Sequence, residues 1–467
     1  MKYDPFGEKN FDSLKADDLM VLKKVSEGWY VEYKREMPKS DSIAKSISAL
    51  ANTYGGWLFY GIDEKSKSEA VAGSFPGIET KELEIGLSRI RNAAAQLISP
   101  SPHYDVRVID GPSEELGLME GRSVIVLRIP QSVNTPHVHR TGVVYRRVGD
   151  ASEPVAETDR IQLEHLVGRR KALERRYAKL LRSHIDIPRD QAKHPYLRIV
   201  LVGDVWQDRQ PWLDIDLSVV REAMASMAGS VATLPFDAVH TTATGYLARQ
   251  LKGNRPDQVG LMWQLERDLQ SDIHVPLNYF SVDKAEELQT HLQGFDHVNR
   301  FVNVLHASGV DAVRVIDLNF LFMTLLGVVN IQEKLAELAG WKGSYWFKAQ
   351  LVNVAGTVPF LDVSSIMRDF EVNNIPIGFR NKIEIFVGHR PESFIEIEHG
   401  DNSLVGDVRV SLKAITMFTN IVRSLGLPEW FSGGGDKSDD AGNYYMALHA
   451  AGMRAINVQA NRKTKVV

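Results

Sequence analysis

Glu27-Gly-Trp-Tyr-Val-Glu-Tyr-Lys34 opens the stretch that decides the N-terminal fold. After a polar turn the stretch continues as Ser46-Ile-Ser-Ala-Leu-Ala-Asn-Thr-Tyr-Gly-Gly56 and Trp57-Leu-Phe-Tyr-Gly-Ile-Asp63. The first and last pieces are aromatic and β-branched, which is typical of strands. Between them, apolar residues recur at helical spacing, and the glycine pair ends that helix because glycine tolerates positive φ. The stretch therefore predicts a strand, a helix, a Gly-Gly turn and a second strand, with carboxylates at the strands.

Length and composition indicate a soluble globular protein of two or three domains. The chain has 467 residues, of which 44% are apolar and 24% are charged. Its net charge of −4 gives no overall attraction to polyanions, so any affinity for nucleic acid must come from a local patch. Cysteine is absent, which excludes disulfides, thiolate zinc sites and a cysteine nucleophile.

The sequence predicts neither a targeting segment nor a membrane-spanning segment. Its N-terminus lacks the apolar core of a signal peptide. The most apolar run, residues 318–329, is shorter than the ~20 residues that a membrane-spanning helix needs, and is better explained as a buried helix. We therefore expect a cytoplasmic protein without membrane contact.

The first 170 residues are expected to form an α+β domain with a mixed sheet and helices. Its further helices are predicted at residues 17–26 and 80–98, and its further strands at residues 104–109, 123–129 and 143–148.

A long basic helix is predicted over residues 159–183. It carries eight Lys or Arg residues against three acids. It is interpreted either as an arm that contacts phosphates, with Arg169, Arg170 and Arg175 as binding residues, or as a solvated connecting helix. Polar, proline-containing sequence follows, so residues 171–195 are assigned to a basic helix and linker.

Residues 196–467 are expected to form a separate α/β domain of unknown function, a possible sensor or substrate clamp. A flexible linker or exposed loop is predicted at residues 432–442. The predicted strands are 197–203, 260–265, 312–316, 345–352 and 382–387, and the predicted helices are 284–307, 318–339 and 412–425.

Four motifs make the first 170 residues resemble the AlbA-like domain of the Schlafen family. They are Glu-x4-Glu-x-Lys at residues 27–34, Ser-Ala-Leu-Ala-Asn-Thr-Tyr-Gly-Gly at 48–56, Gly-Ile-Asp-Glu at 61–64 and Tyr-Arg-Arg-Val-Gly-Asp at 145–150. The resemblance implies a nucleic-acid-binding fold and, from the members with RNase activity, a catalytic set of Glu27, Glu32 and Asp63. The chain departs from vertebrate Schlafens in lacking the cysteines of their zinc site. Those proteins also pair two related lobes, whereas this chain holds one, so a homodimer is expected.

Three carboxylates converging from neighbouring elements would suit Mg²⁺ or Mn²⁺, which prefer oxygen ligands. The predicted metal ligands are therefore Glu27, Glu32 and Asp63, with Glu64 as an alternate ligand. Lys34 lies two residues beyond Glu32, hence on the same strand face, and would stabilise charge on a phosphate. The alternative for each acid is a solvated or capping side chain.

Further residues are candidates for contacts with nucleic acid. Gly55 and Gly56 would let a phosphate approach the backbone, or they simply end the helix. Asn52 either contacts the ligand or caps that helix. Arg146 and Arg147 lie on the last strand, and Arg147 is preferred because its guanidinium binds phosphate through two donors. His137 and His139 form a weak candidate metal pair.

Two functions from different classes fit the sequence. The first is a divalent-metal-dependent endoribonuclease, a hydrolase acting on tRNA or other RNA or on single-stranded DNA. The second is a non-catalytic DNA- or RNA-binding regulator in which the acids are structural. No Gly-x4-Gly-Lys-Ser/Thr motif is present, so ATP hydrolysis has no support from the sequence.

Overall fold

The computed structural model shows a protein with two compact units. One comprises Met1–Leu180 with Trp206–Asp208, and the other comprises Leu181–Val205 with Arg209–Val467. The structure describes residues 3–7, 9, 11–66, 69–149, 153–183, 191, 193–206, 216–225, 234, 236–251, 260–339, 341, 344–397, 406–428 and 440–464. The predicted linker at 432–442 and the proline-containing boundary near 185–195 lie largely outside these residues.

The first unit begins with two 3-10 helices, Phe11–Ser13 and Ala16–Lys24. Its α-helices are α1 (Ser40–Asn52), α2 (Thr80–Gln96) and α3 (Arg160–Arg182). Its strands are β1 (Val31–Lys34), β2 (Gly56–Tyr60), β3 (Asp63–Ser66), β4 (Glu69–Ser74), β5 (Ile78–Glu79), β6 (Ile98–Ser99), β7 (Asp105–Asp110), β8 (Arg122–Ile129), β9 (Val138–His139), β10 (Tyr145–Arg146) and β11 (Val155–Ala156).

The main sheet of this unit is mixed, as the sequence predicted. Its strand order is β1-β2-β8-β5, with β7 paired to β8. The first two strands are parallel, and Glu32 lies opposite Leu58. The other pairings of the sheet are antiparallel. The parallel pair requires a crossover, which α1 supplies.

Both faces of this sheet are buried, because successive strand residues point to opposite sides. Val31 and Trp57 pack on the face that meets the N-terminal 3-10 segment. Leu58 and Tyr60 pack on the face covered by α1 and α2. Since Glu32 shares the face of Leu58, its carboxylate lies under a helix and not in solvent.

The second unit also mixes helices and strands. Its α-helices are α4 (Leu217–Ala225), α5 (Leu288–His291), α6 (Val298–Ala307), α7 (Leu321–Leu338), α8 (Ser364–Asn373), α9 (Gly406–Arg423) and α10 (Asp440–Thr464), and its 3-10 helices are Ala285–Glu287 and Pro391–Ser393. Its strands are β12 (Tyr196–Val202), β13 (Ala238–Thr241), β14 (Gly245–Arg249), β15 (Met262–Glu266), β16 (Ser271–Pro276), β17 (Asn278–Val282), β18 (Val313–Asp317), β19 (Tyr345–Val352), β20 (Thr357–Phe360), β21 (Lys382–Ile385) and β22 (Ile395–Ile397).

An eight-stranded sheet, in the order β13-β14-β15-β16-β12-β19-β21 with β22 also on β19, forms the larger layer of this unit. A three-stranded sheet, β17-β18-β20, contains a parallel pair. Helix α7 is buried along most of its length, which confirms the interpretation of the apolar run as a buried helix. Among the described helices, none is both long enough and apolar enough to span a membrane.

Three predicted elements differ from the observed ones. The helix expected over 284–307 is broken into a 3-10 turn, α5 and α6, and Gly294 lies between the α-helices at a φ of +104°. The helix expected over 17–26 is a 3-10 helix. The strand expected over 143–148 is reduced to β10, two residues paired with β11.

Candidate functional site

Glu32 is the centre of a buried ion network in the first unit. The residue is 1% exposed, and Arg147 is 0% exposed. Arg147 Nη1 donates to Glu32 Oε2 at 3.0 Å, and the Ser46 hydroxyl donates to Glu32 Oε1 at 2.9 Å. Lys34 Nζ lies 3.2 Å from Glu32 Oε1. Both carboxylate oxygens are therefore bound by protein donors.

The rest of the Arg147 guanidinium is held by backbone. Its Nε and Nη2 donate to the carbonyl oxygen of Gly28, at 2.9 and 2.7 Å. Its own amide donates to the Thr53 hydroxyl at 2.9 Å. Burying an ion pair costs desolvation that only close geometry and further hydrogen bonds repay, and Arg147 has both. The pair therefore fastens the chain near residue 147 to β1 and to the end of α1.

Glu27 lies beside a second acid, Glu64. Its Oε1 accepts the backbone N–H of Tyr33, whereas its buried Oε2 has no donor among the described residues. Burial raises the pKa of Glu27 to about 8, and the Glu64 carboxylate adds to the rise, while the Tyr33 N–H and the Lys34 charge oppose it. A protonated Glu27 is able to donate to Glu64, which accounts for two carboxyl groups lying side by side.

Lys34 lies between the two parts of this cluster. Burial lowers the pKa of Lys34, but the Glu32 and Glu27 carboxylates outweigh it, so the pKa of Lys34 is raised. The amine is therefore a cation at neutral pH, at the edge of the acid cluster.

Asp63 faces a different partner. Its Oδ2 accepts a hydrogen bond from Arg35 Nη1 at 2.8 Å, and both side chains are substantially exposed. Glu64, the next residue on β3, acts on Glu27 instead, and the pairing of β3 with β4 is irregular between Asp63 and Glu64. Glu27, Glu32 and Asp63 do not form a metal-binding group: among the described residues, their ligand atoms do not all lie within 4.8 Å of one another.

Asn52 and the glycine pair are committed to internal packing. Asn52 Nδ2 donates to the carbonyl oxygens of His137 and Tyr145, and Asn52 Oδ1 accepts the amide of His137. The Gly55 amide donates to Leu50 O at 2.9 Å, as in a common type of helix end. A Cβ on Gly55, whose φ is +74°, would lie 2.6 Å from Ile129 O, and one on Gly56 would meet Tyr30 O. These residues join the end of α1 to the chain around it.

The arginines proposed to bind nucleic acid differ in accessibility. Arg146 lies 2.6 Å from the Glu157 carboxylate. Arg169 donates to the carbonyl oxygens of Ser132 and Asn52, and Arg170 donates to Glu174 and Asn134. Arg175 is exposed and donates within its own helix, to Lys171 O. His137 and His139 are buried and belong to the interior of the unit.

Lys171, Arg175 and Lys179 form an exposed row on α3, which we call the basic row. Their spacing of four residues puts them on one helix face. Within the described residues, none of the three has a carboxylate partner. The sequence-based prediction included Arg175 of this row, together with Arg169 and Arg170, but omitted Lys171 and Lys179, although the i, i+4, i+8 spacing was available as a signal.

A different acid group lies in the second unit. Asp296, His297 and Asp362 each offer a ligand atom within 4.8 Å of the others, which makes a metal-binding group geometrically possible. Asp362 Oδ1 accepts the His297 amide at 2.8 Å and lies 3.0 Å from His297 Nδ1. Its Oδ2 accepts the Asp296 amide at 3.1 Å and Arg454 Nε at 2.6 Å. These donors use about four lone-pair positions of the Asp362 carboxylate. The positive charge of Arg454 also opposes the binding of a metal cation, so hydrogen bonds within the protein account for the group without an ion.

The geometry of the first unit coincides with a match to a known family. The model of the family described as "Schlafen, AlbA_2" matches residues 27–156. These residues form a Schlafen AlbA_2 domain. This confirms the resemblance inferred from the sequence motifs, and the Schlafen AlbA_2 domain links the chain to a nucleic-acid-related function. It contains Glu32, Arg147, Glu27 and Glu64 and ends just before α3.

No curated protein matches the chain. Among the solved structures that match is the crystal structure of the DIP2311 protein from Corynebacterium diphtheriae, with 17% sequence identity and a TM-score of 0.19. The match covers 34% of this chain and 31% of that one. At this TM-score the likeness carries no argument about fold or function.

Proposed function

We propose that this protein binds nucleic acid through the basic row of α3, next to its Schlafen AlbA_2 domain. The observation that carries the proposal is the exposure of Lys171, Arg175 and Lys179 on one helix face, without carboxylate partners in the described residues. A net charge of −4 provides no general attraction, so a local row of cations is the feature that would neutralise phosphates. Arg169 and Arg170 hold the helix to the loop that contains Ser132 and Asn134, which keeps the row in place.

The first prediction concerns salt dependence. Replacing Lys171, Arg175 and Lys179 together by Glu should weaken binding to RNA or DNA and reduce the slope of log Kobs against log[salt] by about 2–3, because up to three phosphate contacts are lost. Fluorescence anisotropy over a salt series measures both quantities.

A control triple with the same charge change is available. Lys24, Lys65 and Lys81 are exposed and lie on other elements. Replacing these three by Glu should leave the salt slope near the wild-type value. Equal losses of affinity in the two triple variants would mean that only the net charge of the protein matters. An unchanged salt slope in the basic-row triple would mean that α3 is a connecting helix and does not contact nucleic acid.

A second candidate function, cleavage of RNA or single-stranded DNA, is favoured by the paired acids Glu27 and Glu64 beside Lys34. Among the described residues Glu27 Oε2 has no donor, and a divalent cation that displaced the Glu27 proton would neutralise both carboxylates. Glu27 and Glu64 are therefore the residues that fit Mg²⁺ or Mn²⁺. A bound cation supplies activation of water and neutralisation of charge on the phosphate.

In this proposal the neighbouring residues have supporting roles. Lys34 places a positive charge next to the acids, where it would stabilise negative charge developing on a phosphate. Glu32, beneath α1, orients Lys34 and Arg147. Its carboxylate oxygens already bind these two cations. Asp63, which the sequence suggested as the third ligand, is bound to Arg35 and is not a ligand in this proposal. The homodimer expected from the single lobe remains part of the proposal.

The second prediction separates Glu64 from Asp63. With Mn²⁺ or Mg²⁺ and RNA as substrate, Glu64→Gln should lower the cleavage rate on the order of a hundred-fold, because loss of a ligand removes several kcal/mol of stabilisation. Asp63→Asn, one residue away and facing Arg35, should retain most of the activity. A gel-based cleavage assay measures both, and light scattering on the same sample measures whether it is a dimer.

The outcomes distinguish the alternatives. A loss confined to Asp63→Asn would show that the sequence-based set was right and the pair Glu27–Glu64 wrong. If wild-type protein cleaves neither RNA nor single-stranded DNA with either metal, the nuclease proposal fails and the binding proposal stands by itself.

A further inference from the structure

One edge of the second unit exposes aromatic and basic side chains together. Strand β21 is the last strand in the order of the eight-stranded sheet. Phe379, just before it, is 82% exposed, and Phe386 and Val387, just after it, are 47% and 82% exposed. We call the segment from Phe379 to Val387 the β21 edge. Large apolar side chains are usually buried, so a concentration of exposed ones marks an interaction surface.

The end of this edge is held rigidly. Phe386 has a φ of +62°, in the left-handed region that residues other than glycine seldom adopt. Its carbonyl oxygen accepts a hydrogen bond from Lys348 Nζ, which also donates to Ser393 O and Ser393 Oγ at 3.1 and 3.0 Å. Lys348 is buried, and the Glu384 carboxylate is near enough to act on its charge. Three oxygen atoms thus fix its ammonium group, and the ammonium fixes the turn that presents Phe386.

The charged side chains and exposed rings of the β21 edge indicate which class of ligand it binds. The Arg380 guanidinium lies 5.2 Å from the centroid of the Phe379 ring, a stacking distance. Lys382 adds a second positive charge and lies 3.6 Å from Glu384, the single acid between residues 379 and 387. Exposed rings beside cations are the combination that binds single-stranded nucleic acid, since bases stack on the rings and phosphates meet the cations.

The spacing of the two rings also suits an extended ligand. Phe379 and Phe386 are seven positions apart, and a strand rises about 3.3 Å per residue, so their Cα atoms are at most about 23 Å apart. A flexible single strand is able to follow such an edge, whereas a rigid duplex has its bases stacked inside and offers no ring to Phe379 or Phe386.

We infer that the β21 edge is a binding surface for single-stranded nucleic acid, with bases stacked on Phe379 and Phe386 and phosphates at Arg380 and Lys382. The inference rests on the proposed nucleic-acid binding and adds to it a preference for single strands and a role for the second unit. A second copy of the chain, pairing along the edge of β21 that carries no strand among the described residues, is the competing occupant that the experiment distinguishes.

The test compares Phe379→Ala with wild-type full-length protein by anisotropy, with labelled poly-U RNA and a duplex of equal length. Removing one stacking ring should weaken poly-U binding roughly five- to a hundred-fold and leave duplex binding unchanged. Phe379→Trp should restore poly-U binding because it restores a ring. Val387→Ala is the matched control, since it removes exposed apolar surface without removing a ring.

Each outcome decides between explanations. Wild-type affinity for poly-U in Phe379→Ala, while the basic-row triple still loses binding, would overturn this inference and leave the proposed function standing. Failure of wild-type protein to bind either probe would overturn both. Self-association that is lost in Phe379→Ala, with poly-U binding unchanged, would assign the edge to a second copy of the chain.

Discussion

Arg147→Met should lower the free energy of unfolding of the first unit by about 3–5 kcal/mol. The substitution leaves the buried carboxylate of Glu32 without its main counter-ion, and it also removes the donors to Gly28 O. Lys34 and Ser46 still contact Glu32 Oε1, but Oε2 loses its Arg147 donor while the desolvation penalty of the buried carboxylate stays. Denaturant unfolding followed by the fluorescence of Trp29 and Trp57 measures the effect.

Two variants control this prediction. Arg147→Met combined with Glu32→Gln should be less destabilised than Arg147→Met alone, because the stranded charge is removed along with its partner. Arg140→Met breaks an exposed pair with Asp41 and should cost no more than about 1 kcal/mol. A cost for Arg147→Met as small as that for Arg140→Met would mean that water reaches Glu32 in solution.

Glu32 and Arg147 were both identified from the sequence, but their pairing was not. They are 115 residues apart, and no local pattern records a contact of that range. The sequence placed Glu32 on a strand and Lys34 on the same face, which the structure confirms. It did not indicate that this face is covered by α1, because the apolar residues of β1 alternate as they would in a half-buried strand.

The choice between Asp63 and Glu64 illustrates another limit. Family motifs locate both acids after β2, but the structure places Glu64 beside Glu27 and Asp63 against Arg35. Which acid points inward depends on how β3 leaves the sheet, and its hairpin with β4 contains register irregularities. The sequence alone therefore does not show which of the two acids points inward.

The fold itself was more accessible to sequence inspection where elements are long and periodic. Strand β19 has the bounds predicted from the sequence, and α2, α3 and α7 lie where their apolar spacing indicated. Short strands of the second unit, such as β14 and β17, were not predicted. Their identity depends on pairing with distant strands, and propensity over about five residues is a weak signal.

Glu27→Gln should remove a pH dependence of stability that the wild-type protein shows between about pH 4.5 and 8. Burial raises the pKa of Glu27 from 4.5 to about 8, so the folded protein holds a proton that the unfolded chain releases in this range. The stabilisation is complete below the unfolded pKa and is lost as the pH rises through the folded pKa, at roughly 1.4 kcal/mol per pH unit. Glutamine has the shape of a neutral glutamic acid but cannot ionise.

The expected difference is therefore small at pH 5 and large at pH 9, where Glu27→Gln should be more stable than wild type by about 3–5 kcal/mol. Denaturant unfolding in a chelator-containing buffer measures it without interference from divalent cations. Glu64→Gln should flatten the wild-type decline only in part, because burial is the larger cause of the raised pKa and the neighbouring carboxylate the smaller one. Parallel curves for wild type and Glu27→Gln from pH 5 to 9 would mean that Glu27 ionises freely in the folded protein. Glu27 Oε2, which has no donor among the described residues, would then be open to water, and burial would not hold the Glu27 carboxyl in its neutral form.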